Sequence, residues 1–132
     1  MSLAFMLDTD TVSFALRGQG RVGTAILKHR PSDLCVSVIT VAELRYGATR
    51  RKSAKLHELI GTFTRNVEVV PFDDPSALEF GRIASHLADA GSPIGELDTL
   101  IAAHAMSLDL TLVTNNGKHF GRVPGLRLDN WL

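Results

Sequence analysis

The sequence predicts an α/β fold, with four to five short strands in a central, mostly parallel sheet and helices on both faces. Three observations carry that expectation. Apolar runs of strand length alternate with helical patterns, which implies parallel strands joined by crossover helices. The 132 residues suffice for one compact domain, 1–132, but not for a second. No repeat, low-complexity tract or linker interrupts them.

The elements follow in order. LAFML at 3–7 reads as the first buried strand, LCVSV at 34–38 as the second, VEVV at 67–70 as the third and TLVT at 111–114 as the fourth. A helix follows the second strand in TVAELRYG. Leu56, Leu59, Ile60 and Phe63 recur at i, i+3, i+4, i+7 and mark an amphipathic helix. Phe80, Ile83, Ala84 and Leu87 repeat that pattern in a helix opened by Asp74 and Pro75 and closed by Gly91. A further helix carries Leu97, Leu100, Ile101, His104 and Leu108 on its apolar stripe. The tail RLDNWL adds a last strand or a packed end around Trp131.

Composition narrows the class. The hydrophobic fraction of 45 % is that of an ordinary globular protein. No apolar stretch nears the roughly 20 residues of a membrane span. MSLAFML is short for a signal peptide and runs straight into acids, so a cytoplasmic protein is expected. The single cysteine, Cys35, agrees with a reducing compartment, and its apolar setting predicts a buried, inert thiol. Fourteen Lys and Arg balance fourteen Asp and Glu, so net charge offers no general footprint for a polyanion. Five of those cations nevertheless crowd into one stretch: Arg45, Arg50, Arg51, Lys52 and Lys55. They suit either a solvated helix end or a nucleic-acid or partner surface.

Chemistry points to the acids. Asp8 ends the first strand, Glu43 is expected in the first turn of the helix after the second strand, and Asp98 starts a later helix. A parallel sheet brings all three to its carboxyl edge, where such sheets bind ligands. Each has a plain structural explanation: an Asx turn for Asp8, a capping box from Thr40 to Glu43, and a helix-dipole preference for Asp98. Together they would repel one another and raise each other's pKa unless a cation lay between them. Oxygen donors favour a hard divalent ion, Mg2+ or Mn2+. Asp10 is expected behind these three or facing solvent. His104, on an apolar stripe, reads as a hydrogen-bonded core histidine. The other histidines lack zinc spacing. No phosphate loop of the GxxxxGK[ST] kind and no nucleophile elbow is present.

The opening DTDTV also imitates the haloacid dehalogenase phosphatases. That reading requires a late acidic pair after the Thr-ending strand, whereas Asp73 and Asp74 precede LVTN. It also leaves Glu43 and Asp98 without a role.

FMLDTDTVSF, VSVITVAELRYGA, PIGELDTLIAAHA and LVTNNGKHFGRVPGLRLDNW, in this order, resemble the PIN-domain ribonucleases. Within them they resemble the VapC toxins of bacterial type II toxin–antitoxin pairs. The resemblance covers nearly the whole chain and implies a PIN-like three-layer α/β/α fold. The family's three central acids fall on Asp8, Glu43 and Asp98, and its supporting Thr/Ser falls on Thr114. Asp10 replaces the asparagine of the family's DTN. Asn116 stands where many relatives place a fourth acid, and His119 where close relatives often have an acid.

The resemblance implies a metal-dependent endoribonuclease toxin that cuts structured RNA, tRNA most of all or a ribosomal RNA loop, and so inhibits translation. Asp8, Glu43 and Asp98 would hold Mg2+ or Mn2+, and the products would carry a 5′-phosphate and a 3′-hydroxyl. It also implies a VapB-type antitoxin, a homodimer and no membrane. Arg45, Arg50, Arg51, Lys52, Lys118 and Arg122 are the candidate phosphate contacts. Removing Arg50 and Arg51 together should weaken RNA binding and flatten its salt dependence. Asn116 and the neutral net charge suggest the alternative, a PIN-like RNA- or protein-binding module whose site no longer cuts.

Overall fold

The computed structural model describes residues 3–132. Met1 and Ser2, at the head of the MSLAFML run, lie outside the described residues. The chain runs β1 (Phe5–Leu7), α1 (Thr9–Leu16), α2 (Val22–Leu27), a 3-10 turn (Pro31–Asp33), β2 (Leu34–Ser37), α3 (Val38–Arg50) and α4 (Ala54–Asn66). It continues through β3 (Glu68–Val70), α5 (Asp74–Asp89), α6 (Glu96–Ser107), β4 (Thr111–Val113), α7 (Gly117–Phe120) and β5 (Leu128–Asp129).

The strands form one sheet in the order β3-β2-β1-β4-β5, with every neighbouring pair parallel. The expected three-layer α/β/α architecture is thus present, and RLDNWL supplies the fifth strand. Alternation along each strand divides the core. Met6, Cys35 and Leu112 point to one face, where they pack with Ile83, Leu87 and Ile101 of α5 and α6. Leu7, Leu34, Val36 and Val113 point to the other, against Val12, Leu44, Ala48 and Ile60 of α1, α3 and α4. Trp131 lies beyond β5 and stacks on His29 at 4.3 Å, with Phe5 edge-on to both rings. Cys35 is fully buried, and burial, helped by Glu68, pushes its thiol up to about 12.

Several boundaries differ from the sequence expectation. LCVSV at 34–38 reads as strand because its β-branched residues favour extended backbone. The strand nevertheless stops at Ser37, whose hydroxyl caps α3 by accepting from the Ile39 N–H at 3.0 Å. Thr40 is therefore a buried helical residue and not the cap, and Glu43 sits in the second turn of α3 rather than the first. Asp73 caps α5 by accepting from Ser76, while Asp74 and Pro75 are its first two residues. Gly91, at φ 66°, supplies the left-handed residue that ends it. On α6 the stripe is only partly internal: Ile101 and His104 are buried, but Leu97 and Leu108 are 48 % and 37 % exposed. Ala102, Ala103 and Ala105 fill the space instead, letting α6 sit close to the sheet and to α5. The hydroxyls of Ser76 and Ser107 meet at 2.9 Å, so the first turn of α5 faces the last turn of α6.

Candidate active site

Three segments far apart in sequence deliver carboxylates to the carboxyl edge of the sheet. Asp8 follows β1 directly. Its N–H continues the sheet by donating to the Val113 carbonyl at 3.0 Å, and its Oδ1 caps α1 by accepting from the Thr11 N–H at 2.8 Å. The Asx-type role considered for Asp8 is therefore real, and it fixes the carboxylate at the strand end. The side chain is only 3 % exposed. Thr114, just after β4, sits near enough for its side chain to favour the ionised Asp8 carboxylate, and its hydroxyl accepts the Asn116 N–H at 2.9 Å.

Glu43 projects from α3 toward the start of α1, where the Thr9 hydroxyl donates to its Oε1 at 2.6 Å. The hydroxyls of Thr9 and Thr40 lie 3.2 Å apart. Asp98 stands in the first turn of α6, with the His119 ring Nδ1 3.7 Å from its Oδ2. That same Nδ1 lies 3.1 Å from the Asn116 side-chain nitrogen, so Asn116 and His119 form one polar unit beside Asp98. Thr9 was not singled out in the sequence, where it reads only as the middle of DTD. The signal that could find it is its place immediately after a strand-ending acid, at the first residue of a helix.

Electrostatics shows that the acids share one environment. Burial raises the pKa of Asp8, Glu43 and Asp98 above their ordinary values. Mutual repulsion adds to this: Glu43 feels Asp98, Asp10 and Asp8, while Asp8 and Asp98 each feel Asp10. Asp10 is solvent-facing, as expected, yet its charge reaches all three. Among the described residues no Lys or Arg forms an ion pair with any of these four acids.

This donor set fits a hard divalent cation, being rich in carboxylate oxygen, partly desolvated and, among the described residues, not ion-paired to any Lys or Arg. Among the described residues no three His, Cys, Asp or Glu stand close enough to ligate one ion together as they lie. Water between carboxylate and ion would have to complete the coordination, as Mg2+ commonly requires.

The cations predicted for RNA are dispersed. Arg45 is tied to α4, its Nη1 reaching His57 Nδ1 at 3.0 Å and the His57 carbonyl at 2.9 Å. Arg50 ends α3 and is exposed; Arg51 caps it, and Lys52 follows at φ 51°. Lys118 is exposed on α7 beside His119, and Arg122 donates to the Pro93 carbonyl at 3.1 Å. His104 is the core histidine expected: 1 % exposed, with Nδ1 2.8 Å from the Ser37 hydroxyl.

A parallel α/β domain with clustered acids at the carboxyl edge defines the class of protein, and comparison with known proteins defines the family. Residues 5–126 match the PIN domain family model. The tRNA(fMet)-specific endonuclease VapC of Salmonella typhimurium is 36 % identical over 130 residues, 98 % of either chain. Ribonuclease VapC2 of Haemophilus influenzae is 37 % identical over 131 residues, 98 % of this chain and 99 % of that one. Among solved structures, the DNA-bound VapBC of Salmonella typhimurium superposes with a TM-score of 0.87 at 37 % identity, covering 98 % of this chain and 99 % of that one. VapBC2 from Rickettsia felis, bound to a promoter DNA fragment, gives 0.88 at 32 % identity, covering 98 % and 100 %. The chain belongs to the PIN-domain family, in its VapC branch.

Proposed function

We propose that the protein is a metal-dependent endoribonuclease toxin that hydrolyses phosphodiester bonds in structured RNA, tRNA foremost, and thereby inhibits translation. The observation that carries this reading is the convergence of Asp8, Glu43 and Asp98, raised by burial and mutual repulsion and without a neutralising Lys or Arg. The names of the full-length relatives, ribonuclease and tRNA(fMet)-specific endonuclease, support the substrate class.

Asp8, Glu43 and Asp98 would hold Mg2+ or Mn2+, directly or through water. Such an ion, when bound, acidifies water near neutral pH and offsets charge on the phosphoryl oxygens. Thr114 and the Thr11 N–H orient Asp8, and Thr9 orients Glu43, so two of the acids are held before substrate arrives. Asn116 and His119 hold the flank of Asp98. Water adds to phosphorus and the P–O3′ bond breaks, leaving a 5′-phosphate and a 3′-hydroxyl. No step uses the ribose 2′-hydroxyl.

The partner is a VapB-type antitoxin, in line with the toxin–antitoxin complexes among the similar structures. An open apolar groove of about 570 Å3 between α1, α2 and α4 fits a docked helix, with Leu16, Ile26, Leu27, Leu59 and Phe63 on its walls. Val38, Ala42 and Tyr46 form an i, i+4, i+8 stripe on the outside of α3 beside Leu97, a surface suited to a second copy. The cytoplasm, where its RNA substrates are, is the compartment of action. None of the helices among the described residues is long and apolar enough to cross a membrane.

Product-end analysis tests the chemistry. Fragments that accept ligation at a 3′-hydroxyl and carry a 5′-phosphate are expected. A 2′,3′-cyclic phosphate would overturn the hydrolytic reading.

A further inference from the structure

We propose that Arg17 and Arg51 form a phosphate-binding subsite beside the carboxylates, holding the RNA backbone next to the bond that is cut. The subsite rests on the RNA reading above.

A cleft of about 140 Å3 opens between α1 and α3. Its polar lining is Thr9, Asp10, Ser13, Arg17, Glu43 and Arg51, with three leucines and Gly47 filling the rest. One depression therefore contains two of the clustered acids and two guanidinium groups. Among the described residues neither arginine forms an ion pair, although Asp10 and Glu43 line the same cleft.

Their setting separates them from most of the other arginines. Arg30, Arg82 and Arg127 pair with Asp33, Glu79 and Asp109, and Arg45 and Arg122 are spent on His57 and Pro93. Arg17 is braced rather than neutralised. Its Nε donates to the Ser13 carbonyl at 3.3 Å, and its guanidinium carbon lies 5.5 Å from the Phe14 ring centroid. Both terminal nitrogens remain available for an anion. The Arg51 side chain makes no hydrogen bond among the described residues. Arg50 and Arg21 are exposed but lie outside the cleft.

Both arginines cap the C-terminal ends of their helices, where a cation suits the helix dipole. That explains their residue type but not why the two ends meet in the depression that holds Glu43. A polyanion approaching an acid cluster needs compensating charge close by, and a net charge of zero supplies no general attraction. Guanidinium groups bind phosphate in a bidentate manner and suit that task better than ammonium.

The test is fluorescence-anisotropy titration of labelled bulk tRNA in EDTA, which separates binding from cleavage. The proteins are the wild type, Arg17→Ala, Arg51→Ala, the double variant and Arg21→Ala, each checked for an unchanged melting temperature. The cleft variants should each weaken binding about tenfold and flatten the log–log salt dependence by roughly 0.7–0.9. Arg21→Ala, at an exposed position outside the cleft, should change either quantity far less. Wild-type binding with an unaltered double variant would overturn the subsite and leave the nuclease reading standing. Equal losses in Arg21→Ala would overturn it too, as diffuse charge rather than a site. If RNA binding survives in the double variant while affinity for an acidic peptide falls, the cleft belongs to a protein partner and the proposal fails. A wild type that binds no RNA overturns both readings.

Discussion

The Thr9 hydroxyl donates to Glu43 Oε1 at 2.6 Å, joining the first turn of α1 to the second turn of α3. Thr9 follows Asp8 directly, so this bond fixes the spacing of two site acids that lie on separate elements. It also opposes the upward shift that burial imposes on Glu43. Thr9→Val, close in shape, removes the donor and leaves Glu43 less ionised and less ordered. Mn2+ affinity and RNA cleavage should each fall about tenfold, the scale of losing a supporting partner at a metal site. Thr9→Ser should restore most of both, as read by calorimetric Mn2+ titration and by the rate of RNA cleavage.

The acids oppose folding when no metal is present. Burial first, and then the charges of Asp98, Asp10 and Asp8, raise the folded pKa of Glu43 above 4.5. A carboxyl group with a raised folded pKa binds more protons folded than unfolded, so stability falls as pH rises through that window. Glu43→Gln should therefore stabilise the metal-free protein at pH 7. The gain should be on the order of 0.5–1 kcal/mol, kept small because the side chain is partly solvated. It should vanish below the unfolded carboxylate pKa of about 4. Thermal melts in EDTA at two pH values would show this, and equal melting temperatures at pH 7 would count against a strained acid cluster.

Ion binding should have the opposite pH slope. The acids must ionise to hold a cation, and Asp8, Glu43 and Asp98 all have pKa values raised above 3.8–4.5. Mn2+ affinity should thus decline on acidification while the pH is still above the ordinary carboxylate range. Calorimetric titration across pH reads this directly. An affinity that stays flat down to the ordinary carboxylate values would show that the raised acids do not hold the ion.

Ser37 serves two helices at once. Its hydroxyl caps α3, which carries Glu43, and lies 2.8 Å from His104 of α6, which carries Asp98. Burial lowers the pKa of His104, so the ring is neutral at physiological pH. Ser37→Ala removes the cap and strands a buried ring nitrogen. A loss of about 1–3 kcal/mol is expected, read as the midpoint shift in urea unfolding.

Leu27 is 85 % exposed and lines the apolar groove, an arrangement better suited to a partner than to the core. Leu27→Asp should leave the unfolding free energy within about 0.5 kcal/mol of wild type while abolishing co-purification with the antitoxin. Retained co-purification would move the antitoxin to another surface.

The sheet and the acids were legible because they leave strong patterns. Buried strands are short apolar runs, and Asp8 interrupts one of them. The amphipathic faces of α4 and α5 were equally clear. Helices α1, α2 and α7 were not. DTDTVSFAL starts with turn-forming and β-branched residues, and its helix depends on the Asp8 cap and on Val12 packing beneath α3. VGTAIL and GKHF are too short to show a period. The start of α3 was misplaced because Thr40–Glu43 satisfies a capping-box pattern, while Ser37 does the capping from inside a hydrophobic run. Pairwise geometry such as Thr9 on Glu43, or Arg17 and Arg51 lining one cleft, is three-dimensional and leaves no local trace in one sequence.

Three carboxylates brought together by the fold should cut RNA only with a divalent ion. We would incubate total tRNA with the purified, antitoxin-free protein in Mg2+, in Mn2+ and in EDTA, beside Asp98→Asn. Discrete cuts that need the metal and disappear in the variant are expected. Folded wild-type protein that cuts neither tRNA nor ribosomal RNA with either metal, or cuts as well in EDTA, would rule out metal-dependent hydrolysis by these acids.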